Sequence, residues 1–162
     1  RLDMNTSGLI IIAKNAYTQA FLQDKTEVKK TYKVIASGII EKNDFFIEIP
    51  IGKVGDNLRR IELSEKDGGK SAKTHIKVLE RNHEKNITFL EARLYTGRTH
   101  QIRAHLSLIG HPLVGDELYG GDMSLAKRQM LHAYKLEFQN PKTLENLKVE
   151  IEIPLDMKEL LK

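Results

Sequence analysis

Alternation of apolar and polar residues with a period of two, returning in segment after segment, restricts this chain's fold more than any other feature. Tyr32, Val34 and Ala36 share one face of Lys30–Ser37, and Ile47, Ile49 and Ile51 share one face of Phe46–Ile51. Leu90, Ala92 and Leu94 do the same in Ile87–Tyr95, as do His132, Tyr134, Leu136 and Phe138 after Met130, and Val149, Ile151 and Ile153 close the series. This is the pattern of half-buried strands. Helical signals are fewer. Asn15 is placed to cap a short helix over Ala16–Asp24. Ile102, Leu106 and Ile109 fall at i, i+4, i+7, so Thr99–Ile109 reads as a helix stopped by Gly110 and Pro112. Leu9–Ala13 reads as a buried strand. Many short strands with few helices predict an α+β fold built on a mostly antiparallel sheet.

At 162 residues the chain fits one domain with a substantial core, and no repeat or Gly/Pro/Ser-rich linker divides it. It has no cysteine, which excludes a disulfide framework and a thiolate metal site and favours a reducing, cytoplasmic setting. The longest apolar run, Leu9–Ala13, is far short of a membrane span, and no signal peptide is visible. A net charge of +4 has the sign that suits a polyanion such as RNA, and equally suits a basic protein with no such partner.

Two segments carry chemistry. Arg1-Leu2-Asp3-Met4-Asn5-Thr6-Ser7-Gly8-Leu9 sets an aspartate ahead of a Thr-Ser-Gly turn that feeds an apolar run. Alone, such an Asp is a turn or cap residue. With Leu2 and Leu9 as anchors, Thr6 and Ser7 hydroxyls holding the loop and Gly8 allowing close backbone approach, the same loop can aim a carboxylate. Thr96-Gly97-Arg98-Thr99-His100-Gln101-Ile102-Arg103-Ala104-His105 offers a basic partner. On a helix, Arg98, Ile102 and His105 share one side and Arg103 another, so the two arginines have different tasks.

Together these segments resemble the RluA-type pseudouridine synthases, whose patterns R-L-D-x-x-T-S-G-L and G-R-T-H-Q-I-R-x-H this chain matches without a gap. The resemblance implies a mixed sheet with a central cleft and an isomerase that converts uridine in ribosomal or transfer RNA to pseudouridine. That reaction breaks N1–C1′, turns the uracil and joins C5 to C1′, with no redox step, metal or cofactor. Asp3 is then the catalytic aspartate, acting as nucleophile or base. Arg98 is its ion-pair partner, keeping it charged and oriented. Tyr32, in Lys30-Thr31-Tyr32, resembles the family's K-x-Y element and would stack on the flipped uracil, with its phenol oxygen placed to help remove the C5 proton. Thr6, Lys30, Ile102, Arg103 and His105 complete the expected RNA-contacting set, Arg103 serving the RNA backbone or a structural pair. Gly110-His111-Pro112-Leu113-Val114-Gly115-Asp116 resembles the family's G-H-P-x-x-G-D turn and reads as structural.

The family carries a further stretch upstream of this motif, and no S4-type RNA-binding module is present here. The chain is therefore expected to be a C-terminal fragment, residues 1–162 forming the catalytic domain without its N-terminal portion. It is also expected to be weakly active alone, with an open sheet edge that invites self-association. His100 and His105 lie five apart, off the i, i+4 spacing of a helical metal pair. The basic groups Lys25/Lys29/Lys30/Lys33, Lys53/Arg59/Arg60, Lys70/Lys73 and Lys127/Arg128 are scattered, as on a solvated surface, yet collectively can attract phosphate. The competing readings are a non-catalytic RNA-binding module of the same fold and a metal-dependent phosphatase or nuclease, the latter lacking a carboxylate cluster suited to Mg²⁺.

Overall fold

The computed structural model describes residues 1–25 and 28–162; the side chain of Lys25, counted above with the first basic group, lies outside the description. Along the chain come β1 (Ser7–Gly8), α1 (Ala16–Ala20), a wider turn of π-helix (Phe21–Lys25), β2 (Lys29–Ser37), β3 (Asp44–Ile47), β4 (Ile51–Gly52) and β5 (Ile61–Glu62). Then follow β6 (Thr74–Asn82), β7 (Ile87–Leu94), α2 (Gln101–Leu108), β8 (Leu131–Gln139), β9 (Asn146–Glu150) and α3 (Leu155–Leu161). The main sheet runs β1-β8-β2-β7-β6-β3, with β9 on the same edge of β8 as β1, and only the β1–β8 pair is parallel. The fold is α+β with a mostly antiparallel sheet, as the alternation predicts.

The alternation has a direct physical reading at the centre of the sheet. Val34, Ala36, Leu90, Ala92 and Ile76 turn to one face and are covered by Ile102 and Leu106 of α2. Ile35 and Ile87 turn to the other and are covered by Met130, Val114 and Met157 of α3. Burying each such aliphatic side chain is worth about 1.5–3 kcal/mol. Among the described residues no helix is long and apolar enough to cross a membrane.

Four expectations are corrected. Phe46–Ile51 is not one strand: β3 ends at Ile47, and Ile51 pairs instead with Glu62 of β5, because Pro50 has no N–H to continue a ladder. Leu9–Ala13 is not a buried strand: past the Leu9 N–H, which donates to Ala133 O at 2.8 Å, it leaves the ladder, and Ile10 and Ile12 are 54% and 77% exposed. β9 is exposed along its whole length, since none of the described elements covers either side of that edge strand; Ile153, beyond it, packs against the α3 cluster. The helix expected from Thr99 starts at Gln101, because His100 adopts a left-handed backbone (φ 57°) that ends the helix on its N-terminal side.

Candidate active site

The Asp3 loop is built by local turn chemistry and fixed by β8. Thr6 N–H donates to Asp3 O at 3.0 Å, closing a four-residue turn in which Asn5 takes a positive φ of 65°, a conformation Asn tolerates better than most residues. Three side chains from around the start of β8 then grip the loop. Gln129 Nε2 donates to Met4 O at 2.5 Å and to Thr6 Oγ1 at 3.1 Å, Arg128 Nη1 donates to Asn5 O, and Ser7 Oγ bonds His132 Nδ1 at 2.8 Å. Gly8 has φ +115°, and a Cβ there would lie 2.3 Å from Ala133 O, so only glycine permits this contact between loop and strand.

Asp3 opens into a cleft of about 130 Å³ whose lining includes Leu2, Thr6, Lys30, Tyr32, Arg98, Ile102 and Leu131. The sequence motifs therefore do converge, but the pairing among them differs from expectation. The guanidinium facing Asp3 belongs to Arg103, with Nη1 3.8 Å from Asp3 Oδ2. Arg98 makes no ion pair with Asp3; its Nε donates to Ser71 O at 3.0 Å. The late helix start is the cause: Arg98 precedes α2 and does not share a helical face with Ile102, whereas Arg103 lies in the first turn and projects toward the loop.

Arg103 is held by a second carboxylate. Its Nε and Nη2 donate to Asp116 Oδ2 and Oδ1 at 2.7 and 2.8 Å, a two-pronged pair in which the Asp116 side chain is fully buried. Its guanidinium also lies over the Tyr119 ring, 5.0 Å from the centroid. Burial alone would lower the Arg103 pKa; the hydrogen bonds and charge of Asp116, with a smaller contribution from Asp3, outweigh it and raise the pKa. With its side chain 8% exposed, Arg103 has little surface to offer an RNA backbone, which decides between the two tasks foreseen for it.

His105 is also corrected. It is fully buried, its Nε2 donating to Ile49 O and its Nδ1 accepting from Thr74 Oγ1, both at 2.9 Å, a tautomer assigned from these partners. No RNA can reach it. Burial lowers its pKa against the opposing bond to Ile49 O, so it stays neutral. It ends a chain of polar contacts that braces the loop before α2: Thr96 Oγ1 and Arg98 N–H donate to Gln101 Oε1, while Gln101 Nε2 donates to Lys73 O and Thr74 Oγ1. Arg1 joins that loop to the Asp3 loop through Thr99 Oγ1 at 2.9 Å. Ile102, 3% exposed, is a core residue that also lines the cleft.

Tyr32 sits on β2 opposite a bulge: β8 places Lys135 and Ala133 against Thr31 and Tyr32, leaving Tyr134 as the extra residue. Such bulges redirect neighbouring side chains. Burial first, then the Asp3 charge, pushes the Tyr32 phenol up to about 12. At neutral pH it offers a ring and a hydroxyl, not a phenolate. His100 is held neutral mainly by burial, and its ring meets Tyr119 edge-on at 5.8 Å. Asp116, Tyr119, Gln101 and Gln129 escaped the sequence reading. Asp116 stood in a motif read as structural, and a buried amide such as Gln129 has no spacing that announces it.

A family model described as RNA pseudouridylate synthase matches residues 1–108. Of the curated relatives, the Uncharacterized RNA pseudouridine synthase YhcT of Bacillus subtilis is 43% identical over 163 residues, covering 99% of this chain and 53% of that protein. The Ribosomal large subunit pseudouridine synthase D of Neisseria meningitidis serogroup A is 42% identical over 177 residues, covering 99% of this chain and 46% of its own length. The chain thus spans about half the length of these relatives. Of the solved structures, Human RNA Pseudouridylate Synthase Domain Containing 1 aligns with a TM-score of 0.78 at 28% identity, over 94% of this chain and 66% of the human one. Matched over two thirds of its residues, with the fold in agreement, the chain belongs to the RNA pseudouridylate synthase family, as its two motifs implied.

Proposed function

We propose that residues 1–162 carry the catalytic site of an RNA pseudouridine synthase acting on uridine in ribosomal RNA. The observation that carries this reading is the Asp3 carboxylate, presented into a cleft beside the Arg103 guanidinium and close to the Tyr32 ring. The isomerisation needs one carboxylate, kept ionised and aimed, at the sugar or the uracil. Arg103 supplies the counter-charge and is itself held rigid by Asp116. Tyr32 supplies a flat surface for the uracil while N1–C1′ is broken and C5–C1′ is formed, the C5 proton leaving and N1 taking one up. Lys30 and Arg98 in the cleft lining serve the flanking phosphates.

Ribosomal RNA, rather than transfer RNA, is favoured because relatives at about 40% identity are named for the ribosomal large subunit. The cytoplasm as place of action follows from that substrate. The test is to map pseudouridine in ribosomal and transfer RNA from cells lacking the gene. Loss at a defined ribosomal uridine, restored by the parent gene but not by Asp3→Asn, is expected. Loss confined to transfer RNA would correct the substrate, and an unchanged map would refute the reading.

A further inference from the structure

On the sheet face turned away from the cleft, β3, β6 and β7 place Phe46 opposite His75 and His75 opposite Arg93. Leu94 lines the cleft, so its neighbours Arg93 and Tyr95 point to this other face. α3 covers the face around Ile35, Ile87 and Phe89, and at this corner Phe46 and Tyr95 remain 47% and 45% exposed. The two rings meet edge-on at 5.6 Å. Lys73 Nζ stands 4.4 Å from the Phe46 centroid and the Arg93 guanidinium 4.9 Å from that of Tyr95.

The acidic neighbours are already engaged: Glu48 pairs with Lys73 at 2.8 Å and Asp44 with His75 at 2.6 Å. Arg93 is left over. Among the described residues it forms no ion pair and no side-chain hydrogen bond; its Nε is buried, which leaves the Nη groups as the donors a ligand could meet. A guanidinium with unused donors beside two exposed rings is the chemistry of a base-and-phosphate site. The corner is also continuous with the cleft. Tyr95 N–H donates to Lys73 O and Lys73 N–H to Thr96 Oγ1, while Arg98, in the cleft lining, bonds Ser71 O. Only Thr96 and Gly97 separate Tyr95 from Arg98, so at most about 11 Å of chain lies between them.

We propose that this corner is a second RNA contact: a platform on which unpaired bases flanking the target uridine stack on Phe46 and Tyr95 while Arg93 holds an adjoining phosphate. The proposal rests on RNA being the substrate. It places a single-stranded flank around the end of β7, from the cleft mouth to the opposite face, and makes unpaired RNA preferred over duplex.

The test is fluorescence anisotropy with a labelled single-stranded oligoribonucleotide of about 20 nucleotides and the duplex of the same sequence. Phe46→Ala/Tyr95→Ala and Arg93→Gln are compared with the parent and with Lys162→Gln at the far end of α3. Loss of stacking is expected to weaken single-strand binding roughly fivefold or more. Arg93→Gln should lower the salt slope by about 0.7. Duplex binding should change less than about twofold. Arg93→Gln, at a side chain with no ion pair among the described residues, reads the same surface if the double variant loses stability. Parent-like affinity in folded variants would overturn the platform and leave the RNA substrate intact. A parent chain that binds neither RNA would overturn both.

Discussion

Replacing Arg103 with Met separates the charge contacts of the site from its packing. The side chain keeps its length and loses its charge. Asp116, whose carboxylate is fully buried, then retains among the described residues a long bond from Tyr119 N–H at 3.3 Å. A buried carboxylate stripped of its partner costs about 3–5 kcal/mol. For a chain of this size each kcal/mol moves Tm by about 2–4 °C, so a fall of roughly 6–20 °C is expected. Removing both charges, as in Arg103→Met/Asp116→Leu, should recover much of that loss, because a buried pair and an apolar replacement of similar volume differ little. The double variant should therefore be more stable than the summed single effects by at least about 2 kcal/mol. Activity should not return with it. At 3.8 Å and an effective dielectric constant near 20, Arg103 attracts ionised Asp3 by about 4 kcal/mol, part of which hydration of a 20% exposed carboxylate replaces. Both variants should remain at least tenfold below the parent in pseudouridine formation. Urea unfolding with a tritium-release assay reads the two effects separately. A Tm shift under 2 °C for Arg103→Met, or additive single effects, would refute the charge-pair reasoning.

Gly8→Ala forces a Cβ against Ala133 O at a positive φ, so a loss of about 1–3 kcal/mol in stability, with lower kcat, is expected from thermal melts and kinetics. Gln129→Ala frees the Met4 carbonyl and Thr6 hydroxyl; kcat should fall with KM for RNA nearly unchanged, and the reverse pattern would show that Gln129 contacts substrate. Burial lowers the folded pKa of His105 below its usual 6.5, so the unfolded chain binds the extra proton first. Stability from this group is fully present above pH 6.5 and is lost as pH falls from there through the lowered folded value. His105→Gln should flatten the pH dependence of urea unfolding in that window.

Period-two alternation was enough to read β2 and β7, because their side chains face two different covers and the pattern records both; in β8 it found the strand but not its faces, since the bulge at Tyr134 sets His132 opposite Lys33 and Leu136 opposite Lys30, on different sides of the sheet. It failed at Pro50, which breaks the ladder inside an apparently continuous strand, and at β9, whose apolar residues lack any cover among the described elements. That Asp3 and Tyr32 meet at one cleft was legible because short motifs fix the loop and the strand that bear them. The Asp3 partner was not. Choosing Arg98 over Arg103 assumed that the helix began at Thr99; the left-handed His100 delays it and hands the contact to the later arginine. The Asp116 contact to Arg103 joins residues 13 apart across a turn, and only the folded backbone reveals it.

The most direct measurement compares Asp3→Asn with the parent for release of tritium from RNA carrying 5-tritiated uridine, using the intact native protein and the RNA identified by mapping. Asn keeps the size and the turn but removes the charge that Arg103 faces. The expected result is no detectable release above background, with RNA affinity within about threefold of the parent. Release at or near the parent rate would contradict the assignment of Asp3 as the reacting carboxylate and, with it, the account of this cleft.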